Sequence, residues 1–356
     1  MIRSLFLLCL MVVGACENPA APDVAVREIL TPPPSRKIVA ASSVAELSQS
    51  ADVVSSAAYD VNASGDIAGF MVNRGGRIRG FTWGSSGTLT TLNPLPGHFH
   101  SYAFSVNAAG RVVGVSQNSA GKSVATIWAN GTPASLGTLV PGGESFGMAV
   151  NALGSAAGSA TIADGSMRAF YHSAVTRRMT NVGVLPGGSY TLGHDLNDMG
   201  QMVGYGDTPQ GDRAFLYDWS TGSLMDLGTI PGGVSSYALS VNASTQVAGF
   251  AFTAEGLPHA FLWHAGSMTD LGTLGGPQSV AFGINDSGEV VGYSQVPSGE
   301  FHAFVWTAES GMVDLGTLRG GSVSYAQQIN FTGLTAGIAL GPDGRERAVR
   351  WSVTLQ

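Results

Sequence analysis

The chain has 356 residues and a formal net charge of −7, with 44% hydrophobic but only 12% charged residues. This balance excludes a disordered chain, and the lack of any basic run argues against a nucleic-acid partner. Glycine, at 50 residues, is about twice as frequent as usual, which favours many short strands joined by tight turns.

The first element, residues 1–15, is predicted to be a lipoprotein signal peptide. Arg3 supplies a positive charge, and the apolar run that follows is too short to span a bilayer. Val-Gly-Ala before Cys16 resembles a bacterial lipobox, which implies cleavage before Cys16 and lipidation of its sulfur. The alternative is an ordinary secretory signal with a chance cysteine. Cys9 lies in the removed segment, so the mature chain has no disulfide partner.

Residues 16–40 are predicted to be a tether, because "NPAAP" and "TPPPSR" are proline-rich and lack a sustained period. The protein would then be held on a membrane through its N-terminal lipid. Glu17, rather than aspartate, follows the cysteine and favours the outer membrane. We therefore expect an exported cell-envelope lipoprotein, in the outer membrane or on the cell surface.

Residues 41–356 contain seven copies of one repeat. An asparagine, followed in six of the copies by a glycine three residues later, recurs every 43–46 residues; these asparagines are Asn62, Asn107, Asn151, Asn197, Asn242, Asn285 and Asn330. Each copy holds four short runs rich in Val, Ile, Phe and Trp, such as "SVAFGIN", "GEVVGYS", "FHAFVW" and "MVDLGTL". Such runs, separated by Asn, Ser and Gly, indicate strands joined by turns.

Four strands in each of seven repeats predict an all-β fold, a seven-bladed β-propeller of four-stranded antiparallel blades. An elongated β-solenoid is the alternative. The seventh copy lacks its "DLGTL" strand, whereas "SVAELSQSADVVSSAAYDVN" before Asn62 resembles the end of a copy. Residues 44–47 are therefore predicted to complete the seventh blade, so that an N-terminal strand closes the ring. The closed ring is expected to be monomeric.

The repeat resembles the HAF repeat family of extracellular proteins, named after the His-Ala-Phe triplet found here at His259 and His302. The resemblance covers about residues 44–356 and is looser in the second copy, "VATIW", and the seventh, "RAVRW". It implies export and a repeat architecture. It implies no catalytic residues.

Most motifs that suggest chemistry are better explained by the repeat. The glycines of "DLGTLGG" lack the lysine and the following helix of a phosphate loop, so they are predicted to form crossovers between blades. The histidine of the triplet exchanges with arginine in other copies and is therefore not expected to bind a metal. "DVNASGD", from Asp60, lacks the twelfth-position glutamate of a calcium loop and indicates a turn.

The useful residues are those that break the repeat. "HFH" in "GHFHSY" stands where "GGE" stands one copy later, and two histidines two residues apart in an extended segment face one way. Crossovers between blades lie near the central channel, where unlike loops converge. The candidate ligand face therefore comprises His98, His100, Glu144 and Tyr190.

These features favour a binding or scaffolding module over an enzyme, with an envelope glycan or protein as partner. No catalytic residue, metal site or cofactor is expected. The alternatives are a propeller lyase or glycoside hydrolase with its site at the central channel, and a structural spacer without ligand.

Overall fold

A computed structural model describes residues 35–42, 44–47 and 50–356. The predicted signal peptide, Cys16 and most of the tether lie outside these residues. In the described part of the chain, 29 strands form seven antiparallel sheets, which confirms the predicted seven-bladed β-propeller. None of the described segments forms a helix long and apolar enough to cross a membrane.

Six blades consist of four consecutive strands, in order from the axis outward. Blade one consists of β3 (Val53–Val61), β4 (Ile67–Asn73), β5 (Ile78–Trp83) and β6 (Leu89–Leu92), and blade two of β7 (His100–Val106), β8 (Val112–Gln117), β9 (Ser123–Ala129) and β10 (Thr132–Gly137). Blade three consists of β11 (Ser145–Val150), β12 (Ala156–Thr161), β13 (Met167–His172) and β14 (Met179–Asn181), and blade four of β15 (Thr191–Leu196), β16 (Gln201–Thr208), β17 (Gly211–Asp218) and β18 (Ser223–Asp226). Blade five consists of β19 (Ser235–Val241), β20 (Val247–Phe252), β21 (Pro258–His264) and β22 (Ser267–Asp270), and blade six of β23 (Ser279–Ile284), β24 (Val290–Gln295), β25 (Phe301–Thr307) and β26 (Gly311–Gly316). The fourth strand is shorter than "DLGTL" suggested in blades four and five, where it ends at the aspartate.

Blade seven joins the two ends of the chain. Its first three strands are β27 (Ser324–Ile329), β28 (Leu334–Leu340) and β29 (Glu346–Leu355), and β1 (Ile38–Ala41) and β2 (Ala45–Glu46) both pair with β29. The predicted N-terminal closure is confirmed, and it begins earlier than residue 44. Residues 38–40, which the sequence analysis assigned to the tether, belong to β1 and thus to the propeller.

The first strands of neighbouring blades contact one another in a closed circuit around the axis. Each first strand carries a β-bulge, and the second-strand glycine beside it has no room for a side chain. A Cβ on Gly114, for example, would lie 1.9 Å from the carbonyl oxygen of Tyr102. All seven copies of this glycine, the one in "VVG", meet the same obstacle, which explains why the repeat keeps it.

The two faces of the disc differ. Turns between first and second strands, here called inner turns, and turns between third and fourth strands, here called outer turns, form one face. We call it the turn face. Links between second and third strands and the crossovers between blades form the other, here called the crossover face.

On the turn face the seven repeat asparagines form a closed ring of hydrogen bonds. Each Nδ2 donates to the backbone carbonyl of the asparagine in the next blade, at 2.8–3.3 Å, and Asn330 donates to Asn62. Each Oδ1 also accepts one or two backbone N–H groups within its own turn, as from Ala109 and Arg111 in the turn of Asn107. The asparagine therefore shapes its turn and fastens it to the next blade, and this is why it marks the repeat.

A second ring lies inside the blades. One buried serine or threonine near the start of each first strand accepts the N–H of a third-strand residue in the preceding blade. Six of these hydroxyls also donate to a carbonyl at the end of that blade's fourth strand or two residues beyond it. The ring comprises Ser56, Ser101, Ser145, Thr191, Ser236, Ser279 and Ser324.

Candidate functional site

The crossover between blades two and three owes its shape to "PGG", which recurs in the next two crossovers. In residues 140–143 the N–H of Gly143 donates to the carbonyl of Val140, with Pro141 at the second position and Gly142 at φ +71° at the third. This is the pattern of a type II turn, which favours proline and then glycine. The second glycine faces the neighbouring strand; a Cβ on Gly188 would lie 2.2 Å from the carbonyl oxygen of Asp207. The glycine stretch is a crossover, as predicted.

Directly before each buried serine or threonine, one residue stands where the crossover enters the first strand. We call this place the mouth position. Unlike the ring positions, it differs in nearly every blade; its occupants are Ser55, His100, Glu144, Tyr190, Ser235, Gln278 and Val323. Three of the four residues of the predicted ligand face, His100, Glu144 and Tyr190, therefore occupy equivalent places on three consecutive blades.

His100 and Glu144 both hold the preceding blade. His100 Nδ1 accepts the N–H of Ile78 at 3.0 Å, and Glu144 Oε1 accepts the N–H of Ser123 at 2.9 Å. Burial, followed by the charges of Arg79 and Arg77, lowers the pKa of His100. The His100 ring is therefore a neutral acceptor with Nδ1 occupied, so only Nε2 remains for a ligand.

His98 replaces the second crossover glycine, at the place held by Gly143 in the next blade. Its N–H closes the turn to Leu95, while its Nδ1 is buried without a hydrogen-bond partner. Among the described residues no three His, Cys, Asp or Glu side chains lie close enough together to hold a metal ion. Within the same part of the chain, no hydrogen bond or ion pair joins the four predicted residues to one another.

Tyr190 belongs to a cluster that the sequence did not reveal. Its hydroxyl donates to one carboxylate oxygen of Asp212 at 2.6 Å, and the hydroxyl of Tyr237 donates to the other at 2.7 Å. Burial and the Asp212 carboxylate raise the pKa of both tyrosines. Asp212 is itself buried, and it joins the mouth position of blade four to the first strand of blade five through one hydrogen bond to each carboxylate oxygen.

An exposed aromatic platform lies at the entry of blade two. Phe99 is 43% exposed, and its ring meets the edge of His100 with centroids 4.9 Å apart. The guanidinium carbon of Arg77 lies 4.7 Å from the Phe99 ring centre, within the range of a cation–π contact. Deeper in the blade, Tyr102 and Phe104 continue the aromatic surface.

An open cleft of about 710 Å³ lies on the crossover face, between the links of blades two and three. Its charged residues are Lys122 and Glu144, and its walls are largely the glycine-rich backbone of residues 140–144 and 161–165. Lys122 Nζ donates to the carbonyl of Gly142 on the cleft wall. Blades one to three therefore carry both an open cleft and an aromatic platform on this face.

Three solved structures are similar to the chain. An oligogalacturonate lyase from Vibrio parahaemolyticus has a TM-score of 0.60 at 9% identity, covering 87% of this chain and 93% of that one. A puromycin-hydrolyzing peptidase from Mycobacterium tuberculosis has a TM-score of 0.55 at 14% identity, covering 86% of this chain and only 50% of the peptidase. TolB from Acinetobacter baumannii has a TM-score of 0.46 at 13% identity, covering 79% and 78%.

The likeness to the lyase and the peptidase is one of fold. No family model matches the chain, and no curated protein matches it. The resemblance to HAF repeats stays a prediction.

The repeat histidines and aspartates of the propeller have structural partners. His259 Nδ1 lies 2.7 Å from Asp270 Oδ2, and His302 Nδ1 lies 2.8 Å from Asp314 Oδ2, each pair within one blade. In blades one, three and four arginine replaces the histidine and reaches the backbone of the next crossover, as Arg213 reaches the carbonyl of Val234. Histidine and arginine can exchange here because both form hydrogen bonds, although blade two has Val124 at this place.

Sequence analysis also missed Asp212 and Phe99 as site residues. A signal existed for both, because each departs from the repeat. Asp212 stands directly before the triplet position in blade four, where blade five has proline and blade six has phenylalanine. Phe99 stands where Ser189 and Val234 stand in blades four and five, and the shorter crossover into blade three has no residue at this place. Only the fold shows that the first departure is buried between blades and the second is exposed.

Proposed function

We propose that the protein is an exported, lipid-anchored β-propeller that acts as a binding module of the cell envelope, with its ligand site on the crossover face. The observation that carries this is the difference between the faces. Rings of like hydrogen bonds hold the turn face and the blade interior, whereas the mouth position differs from blade to blade. Unlike side chains converging on one rigid rim are what a specific binding site requires.

Within that face, the sector of blades one to three supports the proposal best. It presents the Phe99 platform with Arg77 on its ring, the mouth residues His100 and Glu144, and the open cleft. Exposed aromatic and arginine side chains are typical of binding hot spots. An aromatic face beside hydrogen-bonding groups suits the apolar face and the hydroxyls of a sugar, so an envelope glycan is the proposed ligand, and an envelope protein the second choice.

The lipid anchor at Cys16 rests on the sequence, through the lipobox-like residues and the short apolar run before them. Mass spectrometry of the protein purified from membranes tests it. We expect a mature N-terminus at Cys16 carrying acyl chains. An unmodified Cys16, or an uncleaved N-terminus, would contradict the anchor.

The ligand site is tested with variants that leave the inter-blade bonds intact. His100 and Glu144 form hydrogen bonds to the preceding blade, so replacing them would alter stability as well as binding. Phe99→Ala removes an exposed ring, and Val234→Ala changes the same repeat position in blade five, where 53% of the side chain is exposed.

The wild type and both variants are screened against peptidoglycan fragments, outer-membrane glycans and envelope proteins. For a ligand that the wild type binds, we expect Phe99→Ala to weaken affinity about tenfold, or about 1.4 kcal/mol, because a stacking anchor is lost. Val234→Ala should bind normally. Equal affinities for all three proteins would contradict this site, and breakdown of a bound glycan would favour the lyase or hydrolase alternative.

A further inference from the structure

The described chain begins on the turn face, between blades six and seven. Ser35 accepts the N–H of Glu309 through its Oγ, in the outer turn of blade six. Arg36 forms two bonds of 2.7 Å to Glu289 and a third to the carbonyl of Phe331, both of which lie at inner turns. A tether from Cys16 therefore joins the disc at the rim of its turn face.

On the same face, the turns of blades three and four break the repeat with large apolar side chains. At the third position of the asparagine turn, Leu153 and Met199 replace the small or polar residues of the other blades, Ser64, Ala109, Ser244, Ser287 and Thr332. The outer turns of the same two blades add Val175 and Trp219. We call these four side chains the apolar arc.

The apolar arc is exposed to solvent in the isolated chain. Leu153 is 68% exposed, Val175 88%, Met199 45% and Trp219 36%. The arc is one connected patch of turns: Ala152 donates its N–H to Asp198 in the next blade, and Ala174 donates to Ser155. The exposed Arg177 and Arg178 follow Val175 in its turn. A cluster of exposed apolar residues flanked by arginines is typical of a membrane-contacting surface.

The arc and the entry of the chain lie on opposite sides of one disc face. Blades three and four are across the ring from blades six and seven. The chain from Cys16 to Pro34 spans at most about 65 Å at 3.3–3.6 Å per residue, so the anchored disc stays within that distance of the bilayer. Two contacts at opposite edges of a face define how that face lies.

We propose that the turn face lies on the lipid bilayer, with the apolar arc in the headgroup region and the crossover face directed away from the membrane. This inference rests on the proposed anchor at Cys16. It adds an orientation that leaves the proposed ligand site open to the surroundings. The occupant of the arc is the bilayer that carries the anchor.

Two matched labelling sites test the orientation. Val175→Cys places a label on the arc, and Val234→Cys places one on an exposed valine of the crossover face. The sequence contains no cysteine beyond Cys9 and Cys16, the first of which is predicted to be removed and the second acylated. The full lipidated protein, carrying an environment-sensitive fluorophore at either site, is reconstituted into phosphatidylethanolamine–phosphatidylglycerol vesicles that contain spin-labelled lipid as quencher.

We expect strong quenching at residue 175 and none at residue 234. Leu153→Ser combined with Met199→Ser should abolish the quenching at 175, and serine already stands at this turn position in other blades. Equal quenching at both sites, or quenching at neither, would overturn the orientation. A fluorescence change at 175 that follows protein concentration without vesicles would show a second copy on the arc and also overturn it. A chain that does not float with the vesicles contradicts the anchor itself.

Discussion

At the residue scale, the asparagine of each repeat forms two kinds of hydrogen bond, and only one of them belongs to its own turn. Its Oδ1 shapes the turn, and its Nδ2 crosses to the next blade. The turn could be predicted from Asn and Gly in the sequence. The inter-blade bond could not, because it depends on residues some 45 positions apart being brought side by side.

Two asparagines of blade two allow the bond within the turn and the bond between blades to be measured separately. Asn107 and Asn118 each accept two N–H groups of their own turn, but only Asn107 donates to the next blade. We expect Asn107→Ala to cost about 1–3 kcal/mol of unfolding free energy, because it leaves buried groups unpaired, and Asn118→Ala clearly less. Chemical denaturation measures both. Equal losses would mean that the inter-blade bond contributes nothing.

His194 makes the stability depend on pH. It lies on the first strand of blade four, with its ring stacked on Tyr205, and burial lowers its pKa to about 4. Because the folded protein disfavours the charged ring, the stabilisation is complete above the unfolded pKa near 6.5 and is lost as the pH falls towards 4. At the same place blades three and five carry Met148 and Leu239.

We therefore expect His194→Met to lose less stability than the wild type between pH 6.5 and 4, by up to about 3 kcal/mol. The comparison must be made between variants, since Asp60 acts in the opposite direction. Burial raises the pKa of Asp60 to about 6, so its ionisation destabilises the fold as the pH rises through this window. Denaturation curves at several pH values that run parallel for both proteins would contradict the role of His194.

At the element scale, the N-terminal segment belongs to the fold from residue 35 onward. The pairing of residues 44–47 with the last blade could be predicted, because those residues resemble a repeat end. The pairing of Ile38–Ala41 could not, since "RKIVAA" resembles nothing in the other copies and follows a proline-rich stretch. This pairing depends on where β29 lies in the folded protein and on the hydrogen bonds between Arg36 and the Glu289 carboxylate.

The bond between Arg36 and Glu289 tests whether this segment stabilises the ring. Glu289 is fully buried, so Arg36→Met leaves its charge without a partner and should cost on the order of 3 kcal/mol. Combining it with Glu289→Gln should restore much of the loss, because Gln201 and Gln246 occupy this place in blades four and five. Thermal and chemical unfolding of the three proteins give the answer. A neutral Arg36→Met would show that residues before 38 are only a tether.

At the scale of the whole molecule, seven like units allowed the architecture to be predicted almost completely. The period gave the number of blades, the four apolar runs gave the strands, and the incomplete last copy gave the closure. The candidate site was only partly predictable. Departures from the repeat pointed to His100, Glu144 and Tyr190, but their hydrogen bonds to neighbouring blades, and the Asp212 cluster, follow from how blades face one another.

The central claim is that a closed ring holds one face rigid and leaves the variable face for binding. Hydrogen exchange resolved to single turns tests it most directly, because local opening exposes amides that are otherwise protected. We expect the amides bonded within the seven asparagine turns, including those of blades one and seven, to exchange slowly and together, in the global unfolding event. Faster exchange confined to the turns of Asn62 and Asn330, on either side of the joint between blades one and seven, would show an open ring and contradict the account.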